Sequence, residues 1–194
     1  DKYTHMDIDP RTSHPIALIK MLKDEKKSCP FVTPEGCTIY SDRPANCRYY
    51  PIGQGTWRKS TENGIVNEEF YFFIKESYCL GYQEDTEWSV ESWRKDQGVD
   101  ICDEMNREWK EIQLRKDPTG KPLDPGQQSQ IYLASYDLDT FKKFIFESKF
   151  LDVFDVPNDE LEKIQKDEIA LMKFGFKYIK YILLIEETFK LKKK

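Results

Sequence analysis

"CPFVTPEGCTIYSDRPANCRYYPIG", residues 29–53, carries Cys29, Cys37 and Cys47, three of the chain's five cysteines, within nineteen residues. Pro30, Pro34, Pro44 and Pro51 exclude a continuous helix or a central strand here, because proline fixes its own φ and lacks a donor N–H. Phe31, Val32, Ile39, Tyr40, Tyr49, Tyr50 and Ile52 supply enough apolar surface to predict an ordered loop region rather than a disordered one. The thiols are spaced C-x7-C-x9-C, and Cys79 follows in "ESYCLGY". Separate loops that deliver sulfurs to one point suit a soft metal centre. Closed zinc sites are often built from four cysteines, and iron–sulfur clusters commonly take four thiolates. Irregular backbone can also aim amide N–H groups at the sulfurs, and Arg43 and Arg48 are placed to offset a doubly negative site. The chain has no C-x2-C, so on spacing alone buried free thiols are an equal reading.

Upstream, "IALIKMLKDEKK" sets Ile16, Leu18, Ile19 and Leu22 on one helical face or makes a strand; so short a run leaves both open. Downstream, "TWRKSTENGIVNEEFYFFIKESY" predicts a β-hairpin turning at Asn63-Gly64, with "EEFYFFIKE" buried on at least one face. Helices are expected from about residue 86. Ser89 or Thr86 caps "VESWRKDQ", Gly98 ends it, and Ile101, Met105, Trp109 and Ile112 give the next helix its stripe. "DPTGKPLDPGQQSQ", 117–130, is a linker candidate. Two C-terminal helices, "LDTFKKFIFESKFLDVF" and the long run from Asn158, are separated by Pro157. Asn158 or Asp159 is the expected cap, and Gly175 marks a bend or a close contact. Together these describe an α+β fold in one domain, 1–194: an irregular cysteine-bearing platform and hairpin, covered by several helices including a long C-terminal one.

Composition narrows the function. At 194 residues, 39% apolar and 34% charged, the chain is a polar globular protein whose 14% aromatic content supplies much of its core. A net charge of −5 disfavours nonspecific nucleic-acid binding, and "KLKKK" reads as a solvated helix end. The longest apolar run, "YILLI" at 181–185, is far below the ~20 residues of a membrane span. An odd cysteine count at ordinary density points away from a disulfide scaffold and towards a reducing compartment, the cytoplasm. Cys102 reads as a buried helical thiol, and His5 and His14 as surface residues. No Walker A, G-x-G-x-x-G, H-E-x-x-H or G-x-S-x-G is present, "GQG" at 53–55 is too short to cradle phosphate, and no catalytic residue is assigned.

The words around the cysteines carry more than their spacing. Cys29, Gly36-Cys37, Ile39-Tyr40, Arg43-Pro44, Cys47-Arg48 and Tyr50-Pro51 resemble the second half of the YkgJ-type cysteine-cluster family, the zinc- or iron-chelating CxxCxxCC proteins. About 25 residues match closely. That family carries a further C-x2-3-C-C group upstream, whereas Asp1–Ser28 has no cysteine. The chain starts without a methionine, so the group is expected on a preceding stretch or has been lost. The resemblance implies a centre held by Cys29, Cys37, Cys47 and Cys79, with Arg43, Arg48, Tyr40 and Tyr50 around it. A [4Fe–4S] cluster is favoured over zinc, in an accessory or electron-transfer protein that works with a protein partner. The alternatives are a group-transfer enzyme resembling flagellin lysine methylases and an interaction module folded by zinc.

Overall fold

The structure, a computed structural model, describes residues 2–62, 64–114 and 122–192. In chain order its elements are β1 (Thr4–Ile8), β2 (Pro15–Ile19), β3 (Val32–Thr33), β4 (Gly36–Cys37), α1 (Ala45–Tyr49), β5 (Ile52–Thr61), β6 (Gly64–Phe73), α2 (Val90–Asp96), α3 (Val99–Leu114), α4 (Pro125–Tyr136), α5 (Leu138–Glu147), α6 (Phe150–Val153), β7 (Phe154–Asp155), α7 (Asn158–Lys166), α8 (Glu168–Ile182) and β8 (Lys190–Leu191). Short 3-10 turns at Tyr40–Asp42 and Leu80–Gln83 complete it. The fold is α+β. Its contacts divide it into unit 1, Asp1–Pro30 with Glu108–Lys194, and unit 2, Phe31–Arg107.

Unit 1 joins the two ends of the chain. "PIALI" is a strand, paired antiparallel with β1 from Thr4↔Ile19 to Ile8↔Pro15, and β2 packs on α4. His14 is buried rather than on the surface: its ring meets Trp109 edge to face at 5.6 Å. The helices start where short polar side chains replace the missing intrahelical partners. Asp124 accepts from the backbone N–H groups of Gly126 and Gln127 ahead of Pro125 in the first turn, so the second half of the linker candidate is helix. Its first part, 117–121, lies outside the described residues.

The two predicted C-terminal helices are four. The first divides at Ser148, where the backbone becomes extended, into α5 and α6. The second divides at Asp167, whose carboxylate accepts from Ile169 and Ala170 N–H and so starts α8. Pro157, not Asn158, holds the N-cap position of α7, and no side chain caps it. After α8 the chain turns at Leu184 (φ 55°) and returns as β8, pairing with β7, instead of extending the helix. This return buries Phe189 against Phe150 and Phe174. Gly175 is a close contact: a Cβ there would stand 2.2 Å from the Ala134 carbonyl oxygen of α4.

Unit 2 is built on the β5–β6 hairpin, in register from Ile52↔Phe73 to Thr61↔Gly64. Gly64 takes φ 114°, and Asn63 lies outside the described residues. "GQG" has a structural reason. Gly53 faces Phe72 and Gly55 faces Phe70, and each phenyl ring lies where a Cβ would be, within 2.4 Å. Rings lying over glycine in this way shield backbone that no side chain covers. The strand is less buried than its sequence predicts, with Phe72 and Phe73 49% and 69% exposed. Ser89 caps α2 in a capping box with Ser92, and Gly98 ends the helix at φ 64°. Ile101 is 70% exposed and drops out of the expected stripe of α3.

Candidate metal centre

The predicted ligands lie in or beside very short elements, apart from Cys29, which is in none. Cys37 ends β4, whose partner β3 is joined to it through Pro34-Glu35. Thr33 Oγ1 donates to Gly36 O at 3.1 Å, and Gly36 takes φ 122°, a conformation that favours glycine. Cys47 is at the centre of α1, a single turn entered from Pro44 and left at the cis Tyr50-Pro51 bond. Cys79 precedes the 3-10 turn at Leu80, its N–H donating to Glu76 O at 3.1 Å. Cys29 belongs to unit 1, following Ser28, whose N–H donates to Asp24 Oδ1 at 2.8 Å.

None of the five cysteines is in a disulfide. Cys47 is exposed, and the others, Cys102 included, are half-buried. Among the described residues no group of three or more Cys, His, Asp or Glu is gathered in the arrangement of a metal site. The donor chemistry suits a thiophilic ion, but the sulfurs are not drawn together.

The two arginines have other employment. Arg48 donates from Nε to Arg43 O at 3.1 Å, from Nη1 to Gln97 O at 3.0 Å, and from Nη2 to Ser41 O. Arg43 donates to Tyr40 O and to Gln97 Oε1, and its guanidinium lies 3.8 Å from the centre of the Tyr40 ring. The fork of each guanidinium thus ties the carbonyls of the loop 40–48 to the end of α2. Their charges remain in the cysteine loop, but their N–H groups are engaged by the backbone. Tyr50 is different. Its hydroxyl is sealed from solvent and faces the Cys79 sulfur without the geometry of a full hydrogen bond; that contact, followed by burial, pushes its pKa up. A thiolate at Cys79 would accept that O–H.

A second cluster escaped the sequence reading. Arg94 Nη2 donates to Asp103 Oδ2 at 2.8 Å and Asp100 Oδ1 at 2.6 Å, and its Nη1 donates to Tyr71 OH at 2.9 Å. Tyr49 OH donates to the Asp103 carboxylate at 2.5 Å and meets Gln54 Oε1 at 2.9 Å. Five elements of unit 2 are fastened here, two residues from Cys47. Burial and then Asp103 raise the Tyr49 pKa, so the phenol keeps its proton. Burial opposes the charge on Arg94, but its carboxylate partners outweigh that and raise its pKa. Arg94 and Asp103 lie on different helices, with Gly98 between them, so no single-helix spacing pairs them.

The cysteine loop of unit 2, the absence of disulfides and the Tyr50 hydroxyl beside Cys79 invite comparison with chelating domains. Residues 2–79 match the CxxCxxCC family, described as a "Putative zinc- or iron-chelating domain". The CxxCxxCC match begins just before β1 and ends on Cys79. No curated protein and no solved structure matches the chain. The CxxCxxCC segment accounts for the cysteine loop and the hairpin. It leaves Arg94, Asp100, Cys102, Asp103 and the C-terminal helices outside it.

Proposed function

We propose that this protein binds a metal centre through the thiolates of Cys37, Cys47 and Cys79, with Cys29, two residues before the start of unit 2, as the fourth. The observation that supports it is the coincidence of cysteines outside any disulfide, in a short irregular stretch of chain, with a match to a zinc- or iron-chelating domain that ends on Cys79. Because the sulfurs are not gathered in the described structure, capture requires the loops carrying them to close on the ion, coupling metal binding to local folding. Tyr50 then donates its orphaned O–H to the Cys79 sulfur, and Arg43 and Arg48 hold the loop while their charges offset the thiolates. An all-sulfur ligand set accepts zinc and iron–sulfur clusters alike. A [4Fe–4S] cluster is the favoured occupant, and when bound it supplies one-electron chemistry, the basis for an accessory or electron-transfer role beside a protein partner.

Metal and acid-labile sulfide analysis of anaerobically purified protein tests this. Stoichiometric iron and sulfide, with a brown colour that bleaches on reduction and is lost in Cys47→Ser, is the expected result. Colourless protein with stoichiometric zinc, lost in the same variant, would replace the cluster but keep the thiolate site. Protein that binds neither, or whose metal survives Cys47→Ser and Cys79→Ser together, overturns the proposal.

A further inference from the structure

Unit 2 contains a cleft of about 520 Å³, within the usual range for small-molecule sites. Tyr50, Phe73, Tyr82, Trp88 and Trp93 line it, and the two indoles meet edge to face at 5.3 Å between centroids. Of the described residues that line it, Glu84 alone carries a formal charge, and among the described residues no ion pair engages that carboxylate. From Gln83 to Trp93 the chain holds Glu84, Asp85, Glu87 and Glu91 without a single Lys or Arg.

The walls offer little to an anion. Trp93 Nε1 already donates to Tyr49 O at 3.3 Å, and the Tyr82 hydroxyl to Ile74 O at 3.0 Å. Aromatic faces are the negative ends of ring quadrupoles and attract a cation, most strongly one that sheds its water cheaply. The Tyr82 ring already has Lys75 Nζ 5.6 Å from its centre.

We infer that this cleft binds a small organic cation carrying a quaternary ammonium group, its alkyl substituents against the rings and its charge beside Glu84. The inference does not rest on the metal reading, although the cleft borders Tyr50 and Cys79 of the proposed centre; Glu84 and Trp88, which its test uses, have no part in that centre.

Titration calorimetry of the full chain with choline, and with its uncharged isostere 3,3-dimethylbutanol, tests it. Saturable heat from choline and none from the alcohol is expected. Glu84→Gln, at an exposed position, weakens choline about ten-fold, and Trp88→Ala abolishes binding. Equal binding of the alcohol, absence of choline heat at millimolar concentrations, or undiminished affinity in Trp88→Ala each overturns the inference.

Discussion

Arg94 and Arg48 illustrate how little a guanidinium's sequence position says of its task. The sequence placed Arg48 to offset the charge of a metal centre and gave Arg94 no task, yet each has its donors matched to several oxygens of unit 2. Arg94→Ala leaves the partly buried Asp103 without its cation. It is expected to cost on the order of 2 kcal/mol in urea unfolding, and Arg94→Lys recovers part of that because an ammonium cannot make the forked contacts. His14 gives a pH dependence. Burial lowers its pKa below the ordinary 6.5, so the folded state holds it neutral while the unfolded chain takes up a proton. The resulting stability is complete above pH 6.5 and is lost as the pH falls from there towards the lowered folded value. His14→Phe, which keeps a ring against Trp109, flattens that part of the profile in denaturation series between pH 7.5 and 5.5. The sequence placed His14 before a proline and so suggested a loop surface; its burial depends on Trp109, nearly a hundred residues away.

At the scale of elements, local signals were legible where one side chain decides them. Ser89 and Gly98 bound α2 as predicted, and Gly175 marks a close approach. The Asp167 break was missed because the hydrophobic pattern of 158–182 continues through it. Only the capping contacts to Ile169 and Ala170 separate the two helices. The end of α8 was missed for a related reason: β8 pairs with β7 thirty-six residues earlier, a partner no local window contains. Two substitutions probe these features. Gly175→Ala forces α8 away from the Ala134 carbonyl and is expected to cost about 2–3 kcal/mol in thermal or urea unfolding. Ser89→Ala removes the capping box and costs about 1 kcal/mol, read in the same assay.

Across the whole molecule, the family match over 2–79 was readable because cysteines and their flanking words are local. The ungathered sulfurs and the engaged arginines were not, since both depend on loop conformation. Among the described residues no helix is long and apolar enough to cross a membrane. Metal loading is expected to change unit 2 by closing the cysteine loops, so hydrogen exchange should slow in 31–50 and 76–83 on reconstitution. Helices α5 to α8 should keep their exchange rates; equal protection throughout the chain would argue against local closure.

Unit 1 also sets a timetable for biosynthesis. Gln128 of α4 donates to the Ser13 carbonyl across 115 residues of sequence. At roughly 5–20 residues per second on the ribosome, the nascent hairpin waits about 6–23 s for that partner to be made. The cysteine-bearing middle is finished during this interval. Its thiols therefore emerge, open to metal delivery or to oxidation, while the amino-terminal strands are still unaccompanied.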